Sequence, residues 1–178
     1  MSQRIGFVDF DLDNFHADVY LKLLRGDLQS RGFTVAGATA LKADSSQAWC
    51  AKNSVPYYDA VDALDAHVDC YAVLAPSNPE VHEILCQRVF SCGKPTYVDK
   101  TFAPDLATAE RILALADQHG VAMQTSSAKR WSTLWVNSPK PSQVAISPAS
   151  IRSSKAVSSR KAKPPRYPIP RRSARFPG

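Results

Sequence analysis

No acidic residue follows Asp117. Residues 132–178 carry ten of the 22 Lys+Arg and eight of the 13 Pro, with many Ser and no Asp or Glu. The front part therefore has 12 basic against 16 acidic side chains, a net of −4, while the tail has +10, and the overall +6 averages two unlike segments. That average is not evidence of one continuous basic surface. The tail also lacks a sustained apolar period. Its Val144, Ile146, Ile151, Val157, Ile169 and Phe176 are scattered, and each Pro removes a backbone donor and fixes φ. Such a segment cannot bury enough apolar surface to order itself, so 132–178 is expected to be a disordered basic tail.

Other absences narrow the class. No stretch reaches the ~20 apolar residues of a membrane span. Acids interrupt the first apolar run in MSQRIGFVDFD, which excludes a secretory signal pattern there. The four cysteines (Cys50, Cys70, Cys86, Cys92) show neither CxxC spacing nor histidines at zinc-site intervals, so no metal site is expected from them. Unpaired thiols of this kind fit a cytoplasmic protein. There is no internal repeat.

Residues 1–131 hold a regular alternation. Ile5–Asp9, Phe33–Ala38, Cys70–Ala75, Pro95–Val98 and Val121–Thr125 read as short apolar strands. Helices are expected over 13–30, 44–53, 60–66, from Asn78-Pro79 onward, and from the cap Asp105 to His119-Gly120. The helical stripes expected to face inward are Phe15, Val19 and Leu23 with Tyr20, Leu24 and Leu28; Val81, Ile84, Leu85 and Val89; and Leu106, Ala109, Ile112, Leu113 and Ala116. Links of this length suit crossovers rather than hairpins. The reading is an α/β fold, a Rossmann-type doubly wound parallel sheet. Ligands on such sheets bind at the carboxyl ends of the strands. Those ends are Asp9–Asn14, Ala38–Lys42, Ala75–Asn78, Asp99–Phe102 and Ser126–Arg130.

The first of these loops lacks the glycines that a dinucleotide fingerprint needs. Where GxGxxG would allow a tight turn and close approach of a pyrophosphate, this chain has Asp9-Phe-Asp-Leu-Asp-Asn14. The second strand also lacks the terminal acid that binds ribose hydroxyls. It ends Gly37-Ala-Thr-Ala-Leu-Lys42, where Thr39 offers one hydroxyl and Lys42 one cation.

The later loops carry a resemblance. Ala75-Pro-Ser-Asn-Pro-Glu-Val-His82, then Gly93-Lys-Pro-Thr-Tyr-Val-Asp-Lys100, then Arg130 closing the last strand resemble the N-terminal domain of the Gfo/Idh/MocA oxidoreductases over residues 3–131. Asp99-Lys100-Thr101 stands where Glu-Lys-Pro is usual in that family. The resemblance implies NAD or NADP as cofactor. It implies hydride transfer on a sugar, polyol or similar hydroxyl or carbonyl substrate. It places Lys100 at the reactive end, as a compact donor that orients a hydroxyl or polarises a carbonyl. Asp9, Phe10, Asp11, Asn14, Thr39, Pro76, Asn78 and Asp99 are the residues expected to line the cofactor. His82 is read as a packing or capping residue.

The family's second, sheet-rich domain has no counterpart after Trp131. The expectation is a truncated member, incomplete for catalysis, with residues from about Ser132 read from a shifted frame or supplied by unrelated sequence. Two other readings stand beside it. One is a nucleotide- or partner-binding Rossmann module without chemistry, forming a homo-oligomer or pairing with a longer relative. The other is nonspecific attraction of nucleic acid or another polyanion to the basic tail.

Overall fold

The computed structural model of the chain describes residues 3–126. The expectations for Arg130 and for residues 132–178 fall outside them. Five strands form one sheet: β1 (Gln3–Asp9), β2 (Phe33–Ala40), β3 (Cys70–Val73), β4 (Thr96–Val98) and β5 (Met123–Thr125). Their order is β2-β1-β3-β4-β5, and every neighbouring pair is parallel. The chain steps outward from β1 to β2, returns across β1 to β3, and then steps outward the other way. The reversal lies between β1 and β3, and their carboxyl ends therefore flank a crevice. This is the expected doubly wound architecture. The extended segment around Val55–Tyr58 contributes only a single parallel bridge, Tyr57 to Ala38.

Helices α1 (Phe15–Arg25), α2 (Ala43–Asn53), α3 (Val61–Asp65), α4 (His82–Phe90) and α5 (Leu106–His119) make the connections. Successive β-strand residues point to opposite faces, so Phe7 and Val8 enter different cores. Phe7, with Leu12, Ala17, Leu21, Trp49 and Leu74, packs under α1 and α2. Val8, with Leu64, Val73, Leu85, Val89 and Ile112, packs under α3, α4 and α5. Both sides of β1 and β3 are thus buried, and this is why these strands read as continuous apolar runs.

The helices depart from expectation at their ends. α1 stops at Arg25, and a separate 3₁₀ turn (Gln29–Arg31) leads to Gly32, whose φ of 79° is the left-handed stop. Asn78-Pro79 opens a 3₁₀ turn, Pro79–Val81, rather than the α-helix itself, and Asn78 makes no side-chain cap bond. Asp105 does cap α5, accepting from the Thr108 amide at 2.7 Å. The apolar stripes are also narrower than the periodicity suggests. Phe15 and Leu106 are each 75% exposed at the first position of their helices, and Ile84 and Leu113 face outward.

Leu23 and Leu28 are exposed for a different reason. With Tyr20 and Leu24 they form one wall of a groove of about 570 Å³ whose floor is Ala72 and Tyr97. Among the described residues, α1 and α2 are the helices of this side, and their core cluster reaches across β1, β2 and β3.

One close approach fixes the β2–α3 contact. A Cβ on Gly37 would lie 2.5 Å from Tyr58 Cε2 and 2.8 Å from Leu64 Cδ1. Gly37→Ala is therefore expected to cost about 2 kcal/mol or more by overpacking a dense core. Equilibrium urea unfolding checks this, and a variant as stable as the parent contradicts it.

Candidate functional site

The β1–α1 loop is held from inside. Asp9 ends β1 and is 1% exposed. Its Oδ1 accepts from the amides of Phe10 (2.7 Å), Ala75 (2.9 Å) and Asp11 (3.4 Å). Its Oδ2 accepts from Asn14 Nδ2 at 2.8 Å. Burial pushes the Asp9 carboxyl up to about 6, against the lowering pull of those hydrogen bonds. Asn14 is the N-cap of α1. Its Oδ1 accepts from the amides of His16 and Ala17, while Nδ2 also donates to Asp11 O at 2.6 Å. Phe10 packs against the core under α3–α5, and its carbonyl accepts from the Lys42 amide at 2.8 Å.

Asp11 reaches the other way. Its Oδ1 accepts from the Asp13 amide (3.1 Å) and from Ser45 Oγ (2.8 Å), and its Oδ2 pairs with Lys42 Nζ at 2.8 Å. Burial alone would raise this carboxyl, but the Lys42 and Ser45 hydrogen bonds outweigh it and hold Asp11 below the usual range. The Leu12 amide donates to the buried Ser46 Oγ at 3.0 Å. Thr39 is buried within β2 beside Val8, so Leu41 and Lys42 carry that strand into the crevice. Among the described residues no group of three or more His, Cys, Asp and Glu is arranged to hold a metal ion.

The β3 end supplies the opposite wall. The half-buried Pro76 follows Ala75, and Asn78 Nδ2 donates to Glu80 at 3.2 Å. His82, the first residue of α4, is fully buried, with Nε2 at 3.0 Å from Leu74 O and Nδ1 at 3.0 Å from Phe102 O. It ties the end of β3 to the loop after β4.

At the end of β4, Asp99 is 1% exposed and turns inward. Its carboxylate meets His16 Nδ1 and accepts from Tyr20 Oη at 3.0 Å and Tyr97 Oη at 3.2 Å. The two tyrosine hydroxyls are 3.1 Å apart. Burial, then the neighbouring hydroxyl and carboxylate, raises the Tyr20 phenol and keeps it protonated. Asp99 thus anchors the start of α1 to the end of β4, and its oxygens are committed to that task. Lys100 follows, half-buried, and forms no ion pair with a described residue. Asp9, Phe10, Asp11 and Asn14 are brought together, Asp99 meets α1 through His16 and Tyr20 with Lys100 next to it in the chain, and Thr39 is set back in the sheet.

The sequence reading missed His16, Tyr20, Tyr97 and the Ser45-Ser46 pair. A signal existed for the first three. His16 and Tyr20 are four apart on one helix face, and Tyr97 and Asp99 are two apart at a strand end.

Residues 15–127 match the family described as an oxidoreductase family with an NAD-binding Rossmann fold. The chain belongs to the Gfo/Idh/MocA oxidoreductases. Over 104 residues the chain is 29% identical to the Salmonella typhimurium protein YceM, a match covering 58% of this chain and 33% of that one. Among solved Gfo/Idh/MocA-like folds, the WlbA dehydrogenase of Bordetella pertussis, in complex with NADH and UDP-GlcNAcA, superposes with a TM-score of 0.63 at 14% identity. That likeness covers 76% of this chain and 40% of WlbA. UDP-N-acetylglucosamine 3-dehydrogenase GnnA of Acidithiobacillus ferrooxidans gives 0.62 at 17% identity, over 76% and 42% of the two chains. The chain therefore spans about a third of the curated relative and about two-fifths of these structures.

The family's cofactor fits this chain unevenly. The match to the family begins at Phe15, past the Asp9–Asn14 loop. In that loop the amides of Phe10, Asp11, Leu12, Asp13 and Asn14 donate within the chain, as do those of His16, Ala17 and Asp18 in the first turn of α1. A pyrophosphate brought to ~4 Å of the Asp11 carboxylate meets a repulsion of about 1 kcal/mol in water and about 4 kcal/mol at a protein surface. A helix start returns only ~0.3–1 kcal/mol. As it stands, this loop does not fit a pyrophosphate.

Proposed function

We infer that this chain carries the cofactor-holding half of an NAD(P)-dependent oxidoreductase acting on a sugar, polyol or related hydroxyl or carbonyl compound. The contact of Asp99 with His16 carries the reading. It draws the end of β4, which Lys100 follows in sequence, toward the start of α1. A cation on that rim suits orientation of a hydroxyl or polarisation of a carbonyl. The WlbA structure, which holds NADH together with a sugar nucleotide, supports the substrate class. Pro76 and Asn78 are proposed to line the dinucleotide side. Turnover is proposed to need a further substrate-binding domain.

Titration of the chain with NADH and with NADPH, followed by nucleotide fluorescence, tests this reading. Saturable binding of one of them below millimolar concentration is expected. No binding of either at millimolar concentration removes the cofactor assignment.

A further inference from the structure

We propose that the groove beside α1 is the seat of this chain's own segment Trp131–Val136, which crosses the open half of the sheet as a strap over β3 and β4. The inference is independent of the cofactor reading above.

Three observations carry it. First, one face of the sheet lacks a layer. Phe7, Ala72, Tyr97 and Gln124 lie in register across β1, β3, β4 and β5, on the side of α1 and α2. Cover falls away along that row: Phe7 is 1% and Ala72 9% exposed, Tyr97 is half-buried and Gln124 is exposed. In the next row, on the opposite face, Val8, Val73 and Val98 all stay buried beneath the other helices. Parallel sheets are covered on both faces, so the first row calls for another element. Second, the chain leaves the sheet at this groove. β5 ends at Thr125, and Tyr97 Oη donates to Ser126 O at 3.5 Å. The stretch from Ser126 to Trp131 reaches at most ~18 Å. β3 lies two strands from β5, only ~10 Å away. Third, the segment suits the groove better than other occupants do. Trp131, Leu134 and Trp135 are spaced as one helical face, in the first apolar cluster after β5. A tryptophan buries ~150–250 Å², so two of them match a groove of this size. A second copy needs about 800 Å² per partner, and the groove wall offers Leu23 and Leu28 as its large exposed apolar side chains. A small ligand needs free polar groups to orient it, but the Tyr20 and Tyr97 hydroxyls are committed to Asp99. Seating of the strap braces the two tyrosines that hold Asp99, and it carries the fold past the expected boundary at Trp131.

The test uses the full chain, Leu23→Gln in the groove wall, Trp131→Gln/Trp135→Gln in the segment, and all three substitutions together. Circular dichroism establishes that each is folded, and Leu28→Gln takes the place of Leu23→Gln if that variant is not. In the parent, acrylamide is expected to find all three tryptophans shielded, Trp49 by the core and the other two by the groove. The groove variant and the segment variant are each expected to lower the unfolding midpoint by about 5 °C. The combined chain is expected to fall by clearly less than the sum, because both changes break one contact. Two of the three tryptophans quenched as freely as in urea, or losses that simply add, overturn the proposal. A dimeric parent whose midpoint rises with protein concentration assigns the groove to a second copy and overturns it as well.

Discussion

Asp9→Ala is expected to lower the unfolding free energy by about 3 kcal/mol or more, a large share of the ~5–15 kcal/mol that holds a domain together. The alanine leaves the amides of Phe10 and Ala75 and the Asn14 carboxamide without their acceptor in a buried setting. Each buried polar group so stranded costs about 1–3 kcal/mol. Asp9→Asn separates the hydrogen bonds from the charge, because it keeps Oδ1 and removes the buried carboxylate. The pH dependence of the two proteins then differs in sign-determined fashion. Burial pushes the Asp9 carboxyl up to about 6 in the fold, above the ordinary carboxylate range. The folded chain holds that proton more tightly than the unfolded one. The stability it confers is therefore complete below about pH 4 and is lost as pH rises through 6, a fall of about 3 kcal/mol for a shift of this size. Asp11, Asp65, Asp69, Glu83 and Asp105 are lowered instead, and their contributions are complete above about pH 5. Urea unfolding from pH 5 to pH 8 is expected to show declining stability in the parent and a smaller decline in Asp9→Asn. Equal slopes in the two proteins rule out this account of Asp9.

His82→Leu is expected to cost about 3 kcal/mol. The leucine fills most of the buried volume but donates nothing to Leu74 O or Phe102 O. A neutral imidazole has one N–H and serves one of these carbonyls, whereas an imidazolium serves both. Either way the leucine strands at least one acceptor at about 1–3 kcal/mol and releases the loop after β4 from the end of β3. His82→Gln restores one donor and is expected to recover part of the loss. Equilibrium unfolding of the three proteins checks this. A His82→Leu chain as stable as the parent means that the histidine is only a space-filler.

The alternating strands and helices were legible because β1 and β3 are buried on both faces and therefore nearly all apolar. The faces of the helices were less so. Periodicity marks Phe15 and Leu106 as inward, but each stands at the first turn of its helix with 75% of its surface in solvent. The site was legible in composition and illegible in direction. Three acids in one loop were plain, and on sequence alone they faced a ligand. In the fold, Asp9 turns to an amide 66 residues away, and Asp11 turns to Lys42 and Ser45, 31 and 34 residues away. Asp99, expected beside the cofactor, faces His16, 83 residues distant. Such partners are set by tertiary packing, which local spacing does not encode.

The span of the Asp9–Ala75 hydrogen bond also orders events during folding. A β1–α1–β2 unit, built from the N-terminal third of the chain, lacks the third strand and leaves this carboxylate without the Ala75 amide. The crevice comes into being in the same step that docks β3 beside β1. An assembly without β3 beside β1 therefore has no crevice between their carboxyl ends.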